Sequence, residues 1–300
     1  MSDTAHGNIS GKRLVVFGCG YVGTEVARQG IARGLRVTAL TRNAAKAQAL
    51  QHAGVEAVVA ELSDQAWHER IEGGADFVVN CVSSGGGGAE SARTSYVGGM
   101  RSVIEWARTR GAAGTLVYTG STSVYPQGDG ARIDEAAPIA ANGRERAQIL
   151  IEAEEVLRTG VVECGRWLVL RLAGIYGPER HHLLEQVRLG EIAGQADYHL
   201  NLIYRDDIAA AIWAAFTAPA TVRNEVFNLA DDGAAARAEI VDWLARRVGV
   251  APPRFTGVPA PGRREQTPDR IILNAKAKAV LGWRPACSTF REGYEKILSR

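Results

Sequence analysis

Cysteines are few and long apolar runs are missing from this sequence of 300 residues. The four cysteines, Cys19, Cys81, Cys164 and Cys287, lie far apart and lack the paired spacing of a disulfide framework or a zinc site. No apolar stretch reaches the roughly 20 residues that cross a bilayer, and the polar segment 1–10 lacks the core of a signal peptide. We therefore expect a cytoplasmic protein with buried thiols and no bound metal.

An excess of charge of one sign is also missing. The 35 lysines and arginines nearly balance the 33 acidic residues, which leaves a formal net charge of +2. This balance argues against nucleic acid or a membrane surface as the main partner. The hydrophobic content of 46% is enough for a full α/β core, in one large domain or in a domain with a smaller lobe. We expect the main partner to be a small molecule.

Three glycines follow the first apolar run. The run 14–17 predicts a strand, and Gly18, Gly20 and Gly23 precede a helical pattern that closes at Gly34. In a dinucleotide-binding turn the first glycine permits the tight turn, the second lets the backbone approach a pyrophosphate, and the third lets the helix pack on its strand. Free N–H groups at the helix start favour an anion. The alternative is an ordinary strand–turn–helix without a ligand.

Strands and helices alternate along the first half of the chain. We predict strands at 14–17, 36–41, 55–60, 77–82, 115–119 and 167–172, and helices at 43–52, 64–71, 89–110, 144–158, 178–190, 206–216, 239–248 and 275–281. This alternation predicts an α/β fold of the Rossmann type, with a doubly wound parallel sheet. We expect a nucleotide-binding domain over 1–172, to which elements near 201–230 return, and an interleaved substrate lobe over 173–300.

The residues after the second strand bear on the choice of nicotinamide cofactor. A carboxylate there would bind a free ribose 2′-hydroxyl, whereas an arginine suits a 2′-phosphate. The strand ends in Thr41-Arg42-Asn43, with Lys46 one turn further on, and no carboxylate occurs between Glu25 and Glu56. Arg42 can bind phosphate through its fork of donors. We therefore expect NADP(H) in preference to NAD(H), the alternative being a solvated surface arginine.

Several motifs follow one another in an order that is typical of a known family. They are Gly18-Cys-Gly-Tyr-Val-Gly23, Thr119-Gly-Ser-Thr-Ser-Val-Tyr125, Arg171-Leu-Ala-Gly-Ile-Tyr-Gly-Pro178, Asn201-Leu-Ile-Tyr-Arg-Asp-Asp-Ile208 and Leu281-Gly-Trp-Arg-Pro285. With these motifs the chain resembles the extended short-chain dehydrogenase/reductases of the epimerase/dehydratase type. The resemblance implies a nicotinamide-binding Rossmann domain and a C-terminal substrate lobe. It also implies that Ser121 is the active-site hydroxyl, that Ala173 to Ile175 line the nicotinamide and that Asp207 is a structural acid.

The chain departs from that family at its proton donor. Family members that transfer hydride use a tyrosine followed four residues later by a lysine. Here no lysine occurs between Lys46 and Lys276, and no tyrosine between Tyr125 and Tyr176. The nearest counterparts are Asn142 and Arg146, of which one cannot exchange a proton near neutrality and the other stays charged. The chain thus resembles the atypical extended subgroup, which retains the cofactor site without the pair.

Other side chains are candidates for the proton chemistry. Tyr125 lies four residues after Ser121, Tyr176 closes the segment on the nicotinamide side, and His181 and His182 lie near the expected mouth of the site. Histidine carries protons near neutral pH. Each candidate also has a structural alternative. Tyr125 could pack beneath the active-site loop, Tyr176 could anchor a turn, and the two histidines could be solvated surface residues.

These considerations define the predicted site. The catalytic candidates are Ser121, Tyr125 and His181. The predicted cofactor contacts are Gly18, Gly20, Tyr21, Val22, Gly23, Thr41, Arg42, Asn43, Lys46, Leu62, Val82, Ser83, Thr119, Ala173, Gly174 and Ile175. The predicted substrate contacts are Ser123, Tyr176, His182, Asn201 and Tyr204.

Three functions remain open from the sequence. The first is an NADP(H)-dependent oxidoreductase for a small carbonyl, hydroxyl or sugar-nucleotide-like compound, with an unusual proton donor. The second is a non-catalytic NADP(H) sensor, and the third is a sugar-nucleotide epimerase or dehydratase. The apolar positions of the helices over 100–110 and 144–158 suit either a homodimer interface or the core of the chain itself.

Overall fold

A computed structural model describes residues 9–85, 88–141, 144–160, 164–259 and 268–299. Its strands are β1 Arg13–Phe17, β2 Arg36–Thr41, β3 Glu56–Val59, β4 Phe77–Asn80, β5 Ala113–Ser121, β6 Ala131–Ile133, β7 Cys164–Leu172, β8 Gly174–Tyr176, β9 Glu191–Ile192, β10 His199–Leu200, β11 Leu202–Tyr204, β12 Glu225–Leu229, β13 Ala235–Ala236, β14 Arg254–Phe255 and β15 Arg270–Ile272. Its α-helices are α1 Gly23–Ala32, α2 Ala44–His52, α3 Ala89–Arg93, α4 Gly99–Arg110, α5 Glu145–Thr159, α6 His182–Leu189, α7 Arg205–Thr217, α8 Arg237–Val248, α9 Ala275–Leu281 and α10 Phe290–Leu298.

A seven-stranded parallel sheet organises the molecule, in the order β12-β7-β5-β4-β1-β2-β3. The chain builds outward from β1 to β3, then crosses to β4 on the other side of β1. The apolar side chains of β1 are almost completely buried, as expected for a sheet covered on both faces. The predicted doubly wound Rossmann fold is confirmed. Ligands of such sheets bind at the carboxyl ends of the strands beside this crossover.

Most of the predicted strands and helices are present in the structure, and each wrong prediction has a physical cause. The strand over 36–41 and the helix over 275–281 have the predicted bounds. The predicted helix over 64–71 is wrong, because this segment is a series of turns that buries Trp67. The indole of Trp67 packs against Phe17 and Trp106 and donates to the Leu62 carbonyl at 3.1 Å. A polar surface helix would leave this ring in solvent.

Two further helices differ from the prediction. A π turn, Thr94–Gly98, separates α3 from α4 within the predicted helix over 89–110. The helix predicted from residue 178 begins only at His182, because Gly177 and Glu179 have positive φ angles of 150° and 61°. The last helix, α10, was not predicted, although Thr289 and Glu292 form a capping box at its start.

Apolar side chains form two clusters. The larger one surrounds the sheet and includes residues of α7 and β12, such as Ile208, Trp213 and Phe227. The smaller one joins α6, α8 and α10 around Tyr176 and Tyr204. The division into a nucleotide-binding domain over 1–172 and a substrate lobe over 173–300 stays a prediction. Within the described residues, no helix is long and apolar enough to cross a membrane, and no three potential metal ligands are grouped together.

Candidate functional site

The three glycines of the first turn meet different surroundings. Gly18 has a φ angle of 84°, and a Cβ there would lie 2.6 Å from the Val82 nitrogen. A Cβ on Gly23 would lie 2.3 Å from the Gly18 carbonyl oxygen. A Cβ on Gly20 would have no protein atom within 4 Å. The fold itself therefore explains the first and third glycines, whereas the second borders open space that a ligand's phosphates could enter.

A cavity of about 250 Å³ opens beside this turn, at the carboxyl ends of β1, β2 and β4. Of the predicted cofactor contacts, Gly18, Gly20, Thr41, Arg42, Asn43, Lys46, Leu62, Val82 and Ser83 line it. Seven further lining residues were not predicted: Cys19, Leu40, Glu61, Ser63, Cys81, Gly85 and Ser95. Six of them lie one or two positions from a predicted contact, and Ser95 comes from a segment without one.

The mouth of the cavity carries charges of both signs. The Arg42 Nη1 lies 3.7 Å from the Glu61 Oε1, and both side chains are about half exposed, at 48% and 53%. Asn43 caps α2 by accepting a hydrogen bond from the Lys46 backbone at 2.9 Å. Glu61, which follows β3, supplies a carboxylate that the prediction from the residues after β2 did not include. A phosphate would therefore compete for Arg42 with the Glu61 carboxylate, which already lies beside this arginine.

Two thiols form part of the inner cavity wall. Burial raises the pKa of both Cys19 and Cys81 to about 12. The two groups are therefore neutral thiols at physiological pH and poor nucleophiles. All four cysteines are free, as the sequence predicts for a protein without disulfides.

Ser121 ends β5 at the same edge of the sheet. Its hydroxyl donates to the Ser123 hydroxyl at 3.0 Å and accepts from the Ser123 backbone N–H at 3.2 Å. It pairs in register with Leu172, which is followed at once by the predicted nicotinamide segment Ala173 to Ile175. Thr119 donates to the Asn80 carbonyl at 3.2 Å. The side chains of Thr119 and Ser121 are partly exposed. The predicted cofactor contact of Thr119 and the predicted catalytic role of Ser121 stay predictions. Neither these two residues nor residues 173–175 line the cavity.

Tyr125 packs in the larger apolar cluster. Its side chain is completely buried, and its hydroxyl donates to the Asn228 Oδ1 at 2.9 Å. The same hydroxyl accepts from Arg171 at 2.8 Å, and Arg171 forms two hydrogen bonds to Glu154, at 2.9 and 2.6 Å. Burial raises the pKa of Tyr125 although Arg171 opposes this effect. The Tyr125 hydroxyl belongs to a buried network, as the packing alternative expects, and its catalytic role stays a prediction.

Two predicted substrate contacts are core residues of the smaller cluster. Tyr176 and Tyr204 are 3% and 1% exposed, and their ring centroids lie 5.5 Å apart. A Cβ on Gly293 would lie 1.9 Å from the Tyr176 hydroxyl, so α10 packs directly on that group. Both side chains pack in the core, and their predicted contact with a substrate stays a prediction. Asn201 holds β15 through hydrogen bonds to the backbone of Arg270 and Ile272, at 2.9 and 2.7 Å.

The two histidines lie at the start of α6. The side chain of His182 is 73% exposed and its Nδ1 lies 3.0 Å from the Glu185 carboxylate. His181 is less exposed, and its Nδ1 lies 3.4 Å from the Gly177 carbonyl oxygen. Neither lines the cavity. His182 is thus a surface residue paired within its helix, and the catalytic role of His181 stays a prediction.

Tyr21 does not line the cavity and links the glycine turn to the segment before α6. Its hydroxyl donates to the Pro178 carbonyl at 2.7 Å, and burial raises its pKa to about 12. The guanidinium groups of Arg180 and Arg205 lie 5.5 and 5.2 Å from its ring centroid. Val22 and Gly23 also lie outside the cavity wall, so any cofactor contact by residues 21–23 would involve the backbone.

Asn142 and Arg146 are the nearest counterparts of the family's tyrosine and lysine in the sequence. Asn142 lies outside the described residues, and Arg146 is exposed on the first turn of α5. The Nη2 of Arg146 donates to the hydroxyl of Tyr96 at 3.2 Å.

Comparison with known proteins agrees with this geometry. Protein YeeZ of Escherichia coli (strain K12) is 24% identical over 256 residues, which cover 81% of this chain and 86% of that protein. The 3-diazoavenalumate denitrifying reductase of Streptomyces sp. is 25% identical over 214 residues, covering 65% of this chain and 68% of the reductase. The UDP-glucuronic acid 4-epimerase of Bacillus cereus, solved with UDP-glucuronic acid and NAD, has a TM-score of 0.78 at 17% identity, covering 96% of this chain and 99% of that one.

The structural similarity to the epimerase shows a shared fold. The model of the NAD dependent epimerase/dehydratase family matches residues 14–230, from β1 through β12 and the residue after it. This span contains the glycine turn, the cavity and Ser121. The chain therefore belongs to the NAD dependent epimerase/dehydratase family.

Proposed function

We propose that the protein is an NADP(H)-dependent oxidoreductase that acts on a small carbonyl or hydroxyl compound. The open space at Gly20, beside a cavity lined by Arg42 and Lys46, carries this proposal. The backbone at Gly18 and Gly20 would meet the pyrophosphate, and Arg42 would meet the ribose 2′-phosphate. Two cations and one acid at the mouth suit an extra phosphate better than a bare 2′-hydroxyl. Bound there, the cofactor supplies or accepts hydride.

Ser121 has the role of orienting the substrate oxygen in this proposal. Its hydroxyl can donate one hydrogen bond, now directed to Ser123, and that contact can be exchanged for a substrate oxygen. Ser123 then keeps Ser121 in place through its backbone N–H. The family relatives support both a reductase and a sugar-nucleotide enzyme, because one is named a reductase and another was solved with UDP-glucuronic acid.

A non-catalytic NADP(H) sensor is the second candidate. The missing tyrosine–lysine pair and the closed network around Tyr125 favour it. A sensor needs the cavity but does not need the Ser121 hydroxyl. The two candidates therefore differ in what Ser121→Ala does to turnover.

Equilibrium titration with NADPH and NADH, followed by cofactor fluorescence, tests the cofactor proposal. We expect NADPH to bind more tightly than NADH. Arg42→Ala should weaken NADPH at least about tenfold, because a hydrogen bond to a charged group contributes ~1.5–3 kcal/mol, and should leave NADH unchanged. Arg70→Ala is the matched control, since this arginine lies outside the cavity wall. Equal or tighter binding of NADH would refute the preference for NADP(H).

Turnover distinguishes the enzyme from the sensor. NADPH oxidation is followed with a panel of aldehydes, ketones, α-dicarbonyls and sugar nucleotides. An oxidoreductase turns over at least one of them and loses that turnover in Ser121→Ala, with NADPH affinity retained. Tight binding without turnover of any compound supports the sensor.

A further inference from the structure

A buried arginine from the C-terminal part of the chain contacts the turn that follows Ser121. Arg270, on β15, is 7% exposed. Its Nη2 donates to the Thr122 carbonyl at 3.1 Å, and its Nη1 donates to the Tyr125 carbonyl at 2.6 Å and to the Gln127 carbonyl at 3.4 Å. One guanidinium thus binds several carbonyls of a single turn through its planar set of donors.

The peptide between Thr122 and Ser123 connects this guanidinium with the Ser121 hydroxyl. Its carbonyl accepts from Arg270, and its N–H donates to the Ser121 Oγ at 3.2 Å. The carbonyl and the N–H of a planar trans peptide point in opposite directions, so these two bonds fix the orientation of the peptide plane. They also polarise it, because hydrogen bonds in a chain strengthen one another. The positive charge of Arg270 therefore makes this N–H a stronger donor to Ser121.

A stronger donor on its oxygen makes the Ser121 hydroxyl a better donor in turn. This hydroxyl now donates to the Ser123 hydroxyl at 3.0 Å, and in the proposed function it donates to the substrate oxygen instead. During reduction of a carbonyl that oxygen gains negative charge, and donors already aimed at it stabilise the transition state. The contact of Arg270 with the turn should therefore affect the chemical step more than the binding of cofactor.

Strand contacts hold Arg270 in this position. Its strand β15 pairs in parallel with β6, and the Asn201 side-chain amide donates to the Arg270 carbonyl at 2.9 Å. The Asn201 backbone carbonyl accepts from the Gly174 N–H at 2.9 Å, within the predicted nicotinamide segment. A short series of hydrogen bonds therefore joins this segment, Arg270 and the turn after Ser121.

We propose that Arg270 is a positioning residue of the oxidoreductase. It holds the peptide between Thr122 and Ser123, and through that peptide it orients the Ser121 hydroxyl toward the substrate oxygen and strengthens it as a donor. This inference rests on the proposed function, in which Ser121 orients that oxygen. Arg270 lies 148 residues after Thr122 in the chain, so the fold is needed to bring the two together.

A second arginine binds the same turn in a different way. The Arg144 Nη2 donates to the Tyr125 carbonyl at 3.2 Å, and its Nε donates to the Ala141 carbonyl at 3.4 Å. Among the described residues, Arg144 has no hydrogen bond to the Thr122 carbonyl. Arg144→Met therefore removes an arginine from the turn and leaves the peptide that contacts Ser121 with its partner, which makes it the matched control.

The kinetic test compares Arg270→Met, Arg270→Lys and Arg144→Met with the wild type on the substrate identified by the panel. Arg270→Met should lower kcat about ten- to a hundredfold, the range for losing a hydrogen bond to a charged group, with KM and NADPH affinity changed by less than about threefold. Arg270→Lys keeps the charge and should retain more of the kcat than Arg270→Met. Arg144→Met should leave kcat unchanged.

A second readout does not depend on turnover. The sequence contains two Thr-Ser pairs, at 94–95 and at 122–123. Protein labelled with carbonyl-¹³C threonine and ¹⁵N serine therefore gives two signals in a carbonyl–amide correlation spectrum. In Arg270→Met the 122–123 signal should shift in its carbonyl and amide frequencies. The 94–95 signal should stay in place, which also shows that the variant is folded.

The outcomes separate this inference from the proposed function. Failure of the wild type to bind NADPH refutes the proposed function. A wild type that turns over substrate while Arg270→Met retains its kcat, or loses no more of it than Arg144→Met does, overturns the role of Arg270 alone. An unmoved 122–123 signal in Arg270→Met overturns it as well. NADPH binding without turnover of any compound also overturns that role and leaves the cofactor site standing.

Discussion

Individual side chains at the cavity mouth decide how a nucleotide is held. Arg42 was predicted from its place after β2, and the structure adds Glu61 at 3.7 Å from it. Glu61 follows β3 and directly precedes Leu62, a predicted cofactor contact, and the pairing of β2 with β3 brings both residues to the same mouth. The Glu61 carboxylate beside Arg42 therefore opposes the proposed binding of a 2′-phosphate there.

Replacing that acid should strengthen the binding of NADPH. In Glu61→Gln, Arg42 loses a competing carboxylate and the 2′-phosphate loses a repulsive neighbour. We expect NADPH to bind about two- to fivefold more tightly, in line with the ~0.5–1 kcal/mol of an exposed ion pair, and NADH to change little. Glu56→Gln, on the same strand pair and outside the cavity wall, is the control. Weaker NADPH binding in Glu61→Gln would show that this carboxylate holds the nucleotide.

Elements of regular structure were the most predictable feature of this chain. The glycine turn, the parallel strands and most helices follow from apolar runs and breakers, and the family motifs place Ser121 at the end of β5. The buried states of Tyr125, Tyr176 and Tyr204 did not follow, because each depends on partners far away in sequence, such as Asn228 and Gly293. A tyrosine in a motif has the same sequence signal whether its hydroxyl faces a cleft or a core.

Two substitutions in the glycine turn separate its role in ligand binding from its role in folding. Gly20→Ala adds a Cβ with no protein atom within 4 Å, so its free energy of unfolding should change by less than about 0.5 kcal/mol while NADPH affinity falls at least about tenfold. Gly23→Ala adds a Cβ 2.3 Å from a carbonyl oxygen and should lower the free energy of unfolding by ~1–3 kcal/mol. Denaturant melts and cofactor titrations measure both. Unchanged NADPH binding in Gly20→Ala would contradict a ligand at this turn.

At the scale of the whole molecule, the apolar residues of α4 and α5 belong to the chain's own core. Val103, Trp106 and Ile149 are completely buried, and Ile104 and Val156 are partly buried against the main cluster. These positions therefore need no second subunit to cover them. A homodimer stays a prediction, which light scattering tests.

A buried acid makes the stability of the molecule depend on pH. Burial raises the pKa of Asp231 to about 7, and its Oδ1 accepts from the Gly233 backbone at 3.1 Å. The native state then binds a proton more tightly than the unfolded state, so stability is highest at low pH within this group's range and falls as pH rises from about 4 to 7. Asp231→Asn should raise the melting temperature at pH 8 and flatten this dependence, while exposed Asp242→Asn should not. An unchanged pH profile in Asp231→Asn would contradict this assignment.

A crystal structure of the protein with NADP⁺ tests the central claim most directly. We predict that the adenosine end lies in the cavity beside Leu62, the 2′-phosphate on Arg42 and the pyrophosphate over Gly20. Density for the dinucleotide at another surface, or an empty cavity at millimolar NADP⁺, would contradict it.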